Sequence, residues 1–226
     1  MKICFVIYGS LDIVSGGYLY DRKLVEYLRA QGDDVEIISL PWRNYAAHLT
    51  DNLRFRLPRG FDLIIQDELN HPSLLFANRH PHHYPVISLV HHLRCSELRP
   101  KWQNDFYRVI EKKYLQSVDG YIFNSKTTKR VVEELENGKP SIIAYPPTDR
   151  FWDKSISEEE IRARAKSDKL RILFLGNIIY RKGLHTLLQA ISHQQLAVSV
   201  DVVGGLTAEP RYAYEMQRYV LTHGMT

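Results

Sequence analysis

The stretch Ile172–Ala190, with the sequence ILFLGNIIYRKGLHTLLQA, contains the pattern that decides the fold of this chain. An apolar run leads into Gly176, then into a loop that carries Arg181 and Lys182, and then into apolar residues at helical spacing. A buried strand that passes through a glycine turn into a helix is the unit from which open parallel α/β sheets are built. Cations beside the N-terminus of a helix are suited to a diphosphate, whereas a plain basic turn at the surface is the alternative interpretation.

The same alternation of strand and helix patterns recurs along most of the chain. Short β-rich apolar runs predict strands at Ile3–Tyr8, Val35–Leu40, Phe61–Ile65, Val86–Val90, Tyr121–Phe123, Ile142–Tyr145, Leu170–Leu175 and Val198–Val203. Helical spacing predicts helices at Tyr20–Leu28, Trp102–Tyr114, Val131–Leu135, Leu184–Ser192 and Arg211–Thr222. Ser157 and Glu160 have the spacing of a capping box, which predicts a further helix near Glu158–Lys166. Because most of the strands are apolar on both faces, we expect a Rossmann-like, doubly wound parallel α/β sheet covered by helices on both sides.

The pattern divides the chain into two unequal parts. Pro146, Pro147 and a charged stretch that ends at Lys169 interrupt the alternation, so we expect a first Rossmann-like domain over residues 1–165 and the beginning of a second over residues 166–226. The second part offers only two strand patterns, whereas such sheets usually have about four or more strands. Either this part packs onto the first domain or the chain is the front part of a longer protein, and we favour the longer protein.

Composition limits the class of protein. The 226 residues are 44% hydrophobic and 25% charged, with a formal net charge of +4, as in a soluble globular protein. No apolar run reaches the ~18–20 residues that cross a bilayer, the N-terminus lacks a secretory signal, and Cys4 and Cys95 form no disulfide framework. We therefore expect a cytoplasmic protein. The mild basic excess favours phosphorylated small molecules or an anionic membrane face over nucleic acid.

Glycines and histidines near the predicted strand ends are candidate binding residues. Gly16 and Gly17 close the first loop, where backbone N–H groups approach an anion or a sugar, although a plain strand-to-helix turn is the alternative. The spacing is not GxGxxG and no ribose-binding carboxylate follows, which argues against a nicotinamide-dependent oxidoreductase. His91 and His92 follow a strand at its carboxyl end, where ligands of open parallel sheets bind. For His92 we favour a packed or half-solvated loop residue.

A second set of histidines lies in the segment RHPHHY. His80, His82 and His83 are close together in sequence, but Pro81 and Pro85 flank them and no further metal-ligand motif accompanies them. We favour a solvated loop over a metal site at this position.

Taken in order, the motifs resemble those of the family-4 retaining glycosyltransferases of the GT-B fold. The segments that carry the resemblance are the loop Ser15–Gly17 with the helix and LRAQGDDVEII that follow it, VISLVHH at Val86–His92, DGYIFNSK at Asp119–Lys126, IIAYPPTDRFW at Ile142–Trp152, the GNIIYRKGLHTLLQA stretch, and DVVGGLTAEPRYAYEMQRYV at Asp201–Val220. The resemblance covers nearly the whole chain.

The resemblance implies an enzyme of polysaccharide or glycolipid biosynthesis. Such a hexosyltransferase moves a sugar, with retention, from a UDP- or GDP-linked nucleotide sugar, held mainly by the second domain, to a glycan or lipid-linked acceptor, held mainly by the first. It implies that His91 is the catalytic residue near the transferred sugar and that Gly16 and Gly17 lie near the donor phosphates and the acceptor. It also implies that Lys182 binds the diphosphate without a metal ion or other cofactor. Further donor-binding positions that it implies are Asn177, Arg181 and Gly204.

Two departures from the family pattern affect the expected activity. Asn177 stands where the family usually has an arginine, so half of the cationic clamp is uncharged unless Arg181 replaces it. The acidic pair that the family carries further into its second domain has no counterpart before Thr226. We expect that the chain is truncated within the second domain and that it turns over little or no donor by itself.

Two interactions other than catalysis are compatible with the pattern. A non-catalytic binding module on the same fold is the alternative function, with self-association through the exposed strand edge of residues 169–226. The predicted helix Lys101–Tyr114, with Lys101, Arg108, Lys112 and Lys113 near its outer face, and the KTTKR cluster at Lys126–Arg130 suggest peripheral binding to the inner membrane face. A solvated helix face is the alternative for these basic residues.

Overall fold

The structure is a computed structural model that describes residues 1–147, 156–166, 169–192 and 197–224. The chain forms two compact units, Met1–Phe151 and Trp152–Thr226. The domain boundary predicted at residues 165 and 166 stays a prediction, since most of the residues that connect the two units lie outside the described part. None of the helices in the described ranges combines the length and apolar character that crossing a membrane requires.

The first unit is built on one sheet of six parallel strands. Its strands are β1 (Lys2–Tyr8), β2 (Asp34–Leu40), β3 (Leu63–Asp67), β4 (Val86–Val90), β5 (Gly120–Phe123) and β6 (Ser141–Ile143). Their order in the sheet is β2-β1-β3-β4-β5-β6, so β1 lies between the second and third strands of the sequence. The predicted doubly wound parallel sheet is confirmed.

Helices cover both faces of this sheet. They are α1 (Gly16–Ala30), α2 (Tyr45–Asp51), α3 (His71–Leu74), α4 (Lys101–Leu115) and α5 (Lys126–Glu133). Right-handed crossovers place α1 on one face and the other four helices on the opposite face. The packing agrees with this: Val25 of α1 contacts one apolar cluster, whereas Tyr114 of α4 and Val132 of α5 contact the other.

Serine side chains fix where several helices begin. The Ser15 hydroxyl accepts a hydrogen bond from the backbone N–H of Tyr18 at 3.2 Å, so α1 begins directly at the paired glycines. Ser125 caps α5 in the same way. The helix predicted after Ser157 is present as α6 (Glu158–Ala165), and the Ser157 hydroxyl accepts from the N–H of Glu160 at 3.2 Å, as the capping pattern predicts.

The second unit contains a sheet of two parallel strands, β7 (Leu170–Leu175) and β8 (Val198–Val203), with α6, α7 (Leu184–Ser192) and α8 (Pro210–Thr222). Its core is formed by buried side chains of the loop after β7 and of the last two helices: Ile178, Leu184, Leu188, Tyr212 and Ala213. On the β7–β8 pair, Leu173, Leu175 and Val203 are 61%, 64% and 52% exposed. This apolar face is therefore uncovered.

The inward face of α4 differs from the one that the sequence indicates. Trp102, Phe106 and Val109 are exposed, and the face that packs inward carries Glu111, Tyr114 and Leu115. The helix has two apolar stripes that are rotated from one another, and hydrophobic spacing alone does not say which one faces the sheet. The predicted outward position of Lys101, Arg108, Lys112 and Lys113 is correct.

Candidate functional site

His91 lies at the carboxyl edge of the six-stranded sheet, directly after β4. Its Nε2 atom donates a hydrogen bond to Oδ1 of Asp21 on α1 at 2.8 Å. Asp21 is completely buried, whereas the His91 side chain keeps 15% of its surface exposed. Oδ2 of Asp21 has no hydrogen-bond partner among the described residues. The histidine is therefore held from inside the protein by a carboxylate and keeps one side open.

Asp67, the last residue of β3, completes a buried group of three with Asp21 and His91. Their ligating atoms lie within 4.8 Å of one another. Burial raises the pKa of Asp21, and burial together with the charge of Asp21 raises the pKa of Asp67 to about 7. Burial alone would lower the pKa of His91, but the hydrogen bond to Asp21 and the nearby carboxylates raise it above its ordinary 6.5. The neighbouring carboxylates therefore favour the protonated form of the His91 imidazole.

The paired glycines differ in what surrounds them. A Cβ atom added at Gly17 would lie 3.4 Å from Cδ2 of His91, whereas one added at Gly16 would meet nothing within 4 Å. The backbone of Gly17 therefore lies against the histidine ring. The edge of Tyr20 also approaches this ring, with centroids 5.2 Å apart. The structure thus brings the predicted residues Gly17 and His91 together, with Gly16 open beside them.

The backbone of His91 is fixed by the segment that follows β5. Its carbonyl accepts hydrogen bonds from Nδ2 of Asn124 at 3.0 Å and from Oγ1 of Thr128 at 3.1 Å. Asn124 lies in the DGYIFNSK segment singled out in the sequence, and the Thr128 hydroxyl shares its one proton between Oδ1 of Asn124 and the His91 carbonyl. This segment positions the loop that carries the histidine.

A second buried polar cluster lies at the same edge of the sheet and was not found from the sequence. It contains Glu68, His71 and Glu111, whose ligating atoms are also within 4.8 Å of one another. Burial raises the pKa of Glu68 to about 8 and that of Glu111 to about 7, and it lowers the pKa of His71 to about 4. Nδ1 of His71 donates to the carbonyl of Glu68 at 3.0 Å, and Nε2 accepts from the hydroxyl of Tyr45 at 2.9 Å.

Both clusters have the residue types that ligate metals, but their hydrogen bonds favour another role. In each, the histidine nitrogens that lie near the carboxylates already have protein partners. Glu111 accepts hydrogen bonds from the backbone N–H groups of Arg94 and Cys95, so it fixes the turn that precedes α4. These contacts favour buried hydrogen-bond networks at the sheet edge.

In the second unit, the predicted residues Asn177, Lys182 and Gly204 lie together at the carboxyl ends of β7 and β8. The Lys182 side chain lies over Gly176, where an added Cβ atom would be 3.7 Å from Cε of the lysine. A Cβ atom at Gly204 would lie 1.9 Å from the carbonyl oxygen of Gly176, and one at Gly205 would lie 3.0 Å from Oδ1 of Asn177. The close approach of the two strand ends therefore requires glycine at Gly204.

The cations at this edge are available for an anion. Arg181 and Lys182 are exposed, and neither forms an ion pair with a residue of the described ranges. The N-terminus of α7 is less available, because the backbone N–H of His185 donates to the hydroxyl of Tyr212 at 3.0 Å. The arrangement favours anion binding by the two side chains over binding by the free N–H groups of the helix.

The other histidines that the sequence singles out lie in loops. His92 is exposed and its Nε2 donates to Oε1 of Glu97 at 2.9 Å, which fits the predicted loop residue. His80 and His83 are exposed, while the ring of His82 stacks on Tyr84 with centroids 5.2 Å apart. The contacts of these three histidines are those of a surface loop.

Comparison of the sequence gives no match to a protein-family profile and no significant match to a curated protein. Solved structures are similar. Sucrose-phosphate synthase from Thermosynechococcus elongatus has a TM-score of 0.71 and 16% identity, over 99% of this chain and 68% of that protein. Anabaena Alr3699/HepE in complex with UDP and glucose has a TM-score of 0.62 and 15% identity, over 100% and 67%. The lipopolysaccharide outer core galactosyltransferase WaaB has a TM-score of 0.63 and 10% identity, over 99% and 65%.

These likenesses confirm the predicted fold class. The chain has the α/β fold of solved glycosyltransferases, and it spans about two thirds of the length of those proteins.

Proposed function

We propose that this chain belongs to a glycosyltransferase of the EC 2.4 class that uses a nucleotide-sugar donor. The observation that carries the proposal is the pair of exposed cations Arg181 and Lys182, which follow β7 at its carboxyl edge and form no ion pair with the described residues. The Lys182 side chain lies over the backbone of Gly176. The fold supports it, because the similar HepE structure holds UDP and glucose. The finer assignments, to family 4 and to transfer with retention, are part of the same proposal.

In the second unit, the chemistry is electrostatic. When the bond between the sugar and the diphosphate breaks, negative charge grows on the phosphate oxygens, and cations fixed beside them stabilise that charge. Lys182 is positioned for this role, and Arg181 replaces the charge that Asn177 lacks. Asn177 contributes a neutral hydrogen-bond donor. Gly204 allows the ends of β7 and β8 to approach closely, which brings Asn177 and Lys182 to the same edge of the sheet. We propose that this binding requires no metal ion.

In the first unit, His91 acts on the sugar. Its Nε2 proton is committed to Asp21, so Nδ1 is the ring nitrogen that remains for a sugar hydroxyl. The positive charge favoured by Asp21 and Asp67 strengthens that interaction. Gly17 leaves room beside the ring, and Gly16 leaves open space at the start of α1. We propose a glycan or lipid-linked acceptor on this unit, in polysaccharide or glycolipid synthesis in the cytoplasm.

The alternative is a non-catalytic binding module that associates with itself. The uncovered face formed by Leu173, Leu175 and Val203 favours it, because exposed apolar faces of this kind are usually covered by another protein surface. Asn177 favours it too, since it weakens the cationic clamp. Light scattering over a range of concentrations tests this alternative: a monomer at high concentration contradicts it, and a dimer that Leu173→Glu dissociates supports it.

Equilibrium binding of UDP and of GDP to the whole chain tests the main proposal. We expect one of the two to bind, and Lys182→Ala to weaken that binding by about tenfold or more, as for loss of a charge-assisted contact. Arg171→Ala is the matched control, because Arg171 is an exposed cation on β7 outside the proposed site. Equal binding by Lys182→Ala and the unmodified chain contradicts the proposal. We expect little or no sugar transfer by this chain alone.

A further inference from the structure

Helix α4 exposes a stripe of large apolar side chains. Trp102, Phe106 and Val109 are 69%, 49% and 54% exposed, and their spacing of four and three residues places them on one side of the helix. Leu98, just before the helix, is 78% exposed. Single exposed apolar residues are ordinary, but an aromatic pair in a continuous stripe indicates a surface with a partner.

Basic side chains accompany this stripe. Lys101, Arg108, Lys112 and Lys113 are exposed on the same helix. Within α4, which is described throughout, Asp105 is the exposed carboxylate, and it pairs with Lys101 at 2.7 Å. The other acidic residue, Glu111, is buried. The rim of the apolar stripe is therefore strongly positive.

Helix α5 extends the positive surface on the same face of the sheet. Val132 of α5 and Tyr114 of α4 pack on one apolar cluster, and Lys126 and Arg130 of α5 are exposed. The exposed carboxylate of this helix, Glu133, lies 3.7 Å from Lys129. Both helices follow right-handed crossovers in the same direction across the sheet. The basic patch thus covers more than one element.

Helix α4 is held mainly by the side opposite the stripe, although the Phe106 ring also lies 6.2 Å from the ring of Tyr45 on α2. The opposite side of the helix is anchored by Tyr114, whose hydroxyl contacts Gln66 and Ser88 at 3.1 Å each, and by Glu111, which accepts from two backbone N–H groups. Substitutions on the outer stripe therefore leave these anchors intact.

We propose that α4 is an interfacial helix that binds an anionic lipid membrane. On α4 the apolar stripe is accompanied by four exposed cations and one exposed carboxylate. This charge pattern favours an anionic surface over a protein partner, because lysines are depleted at protein–protein interfaces. A tryptophan and a phenylalanine that enter the interface, with lysines and arginine beside them at the level of the headgroups, match an anionic bilayer in both shape and charge. This inference does not depend on the proposed sugar transfer.

Sedimentation with lipid vesicles tests the proposal on the full chain. We expect binding to vesicles that contain about 30% phosphatidylglycerol, at least fivefold less binding to pure phosphatidylcholine, and loss of most binding at about 0.5 M NaCl. Two double variants should each reduce the bound fraction about fivefold or more. One is Lys112→Glu with Lys113→Glu, and the other is Trp102→Ala with Phe106→Ala. Circular dichroism checks that each variant is folded.

Matched controls keep the result specific. Arg162→Glu with Arg164→Glu reverses two exposed charges on α6, and Leu53→Ala removes an exposed apolar side chain elsewhere. Both should bind vesicles like the unmodified chain. Equal binding to neutral and anionic vesicles overturns the proposal. Vesicle binding that is retained in Trp102→Ala with Phe106→Ala also overturns the proposal. So does self-association of the unmodified chain that this double variant abolishes, because a second copy of the chain would then cover the stripe.

Discussion

Asp21 on α1 accepts a hydrogen bond of 2.8 Å from His91, which lies 70 positions further along the chain at the end of β4. The contact joins the helix that begins at the paired glycines to the strand that ends at the candidate catalytic histidine. Because Asp21 is fully buried, its carboxylate fixes both the orientation of the ring and the nitrogen that carries the proton. We infer that Asp21 positions His91.

The variant Asp21→Asn should lower the pKa of His91. The amide removes the charge and the carboxylate acceptor that raise this pKa, while the burial that lowers it remains. A proton NMR titration of the histidine ring measures the change, and His91→Gln assigns the resonance. Asp67 and Glu68 still raise the pKa in this variant, so we expect a value below that of the unmodified chain, and an unchanged pKa in Asp21→Asn contradicts the proposed role.

The same pair contributes to stability with a definite dependence on pH. His91 has a higher pKa in the folded state than in the unfolded chain, so its contribution is fully present below about 6.5 and is lost as the pH rises through the folded pKa. In His91→Gln this contribution is absent. Urea unfolding of the two proteins should therefore show a difference in the free energy of unfolding that shrinks as the solution becomes alkaline.

Glu68 should make the protein less stable as the pH rises. Burial raises its pKa from 4.5 to about 8, so between these values the folded state holds a proton that the unfolded chain releases. In Glu68→Gln no proton has to be held at this position. Between about pH 5 and about pH 8 the free energy of unfolding of this variant should therefore fall by about 1–3 kcal/mol less than that of the unmodified chain. Glu133→Gln on α5, at an exposed carboxylate, is the control and should keep the original slope.

Much of the fold could be predicted because apolar runs mark buried strands. The strand Val86–Val90 and the helix Leu184–Ser192 have the predicted bounds. The third strand is displaced, from the predicted Phe61–Ile65 to Leu63–Asp67, because Gln66 and Asp67 are buried. The Gln66 amide exchanges hydrogen bonds with Asn78, and a polar strand end of this kind carries no hydrophobic signal.

The sequence identifies a site residue only where its residue type and its place in a strand or helix together indicate a role. Gly17 and His91 are recognisable from their places at a helix start and a strand end. Asp21 and Glu68 are not, because a carboxylate in the middle of a helix or after a strand usually indicates a solvated position, and their burial depends on partners far away in sequence. Helix α2, which supplies Tyr45 to the second cluster, lacks the repeated apolar spacing that marks longer helices.

The two glycines at the start of α1 should respond differently to alanine. A methyl group at Gly17 would contact the His91 ring at 3.4 Å without a clash, so Gly17→Ala should fold normally but fill the space beside the histidine. We expect it to weaken binding of a nucleotide sugar by about tenfold, because a sugar that contacts the His91 ring needs the space that the methyl group fills. Gly16→Ala meets nothing and is the matched control, and isothermal titration measures both. Equal affinities for the two variants would remove Gly17 from the site.

Gly204 should be required for the stability of the second unit. A Cβ atom there would lie 1.9 Å from the backbone carbonyl oxygen of Gly176, so Gly204→Ala must displace one strand end, at a cost of about 1–3 kcal/mol. At Gly205 the nearest atom is the end of the Asn177 side chain at 3.0 Å, which can rotate away, so Gly205→Ala should cost less. Hydrogen exchange of the β7 and β8 amides measures both effects. We expect these amides to exchange faster in Gly204→Ala than in Gly205→Ala, while exchange in the six-stranded sheet stays unchanged. Equal exchange in the two variants would show that the two strand ends separate without cost.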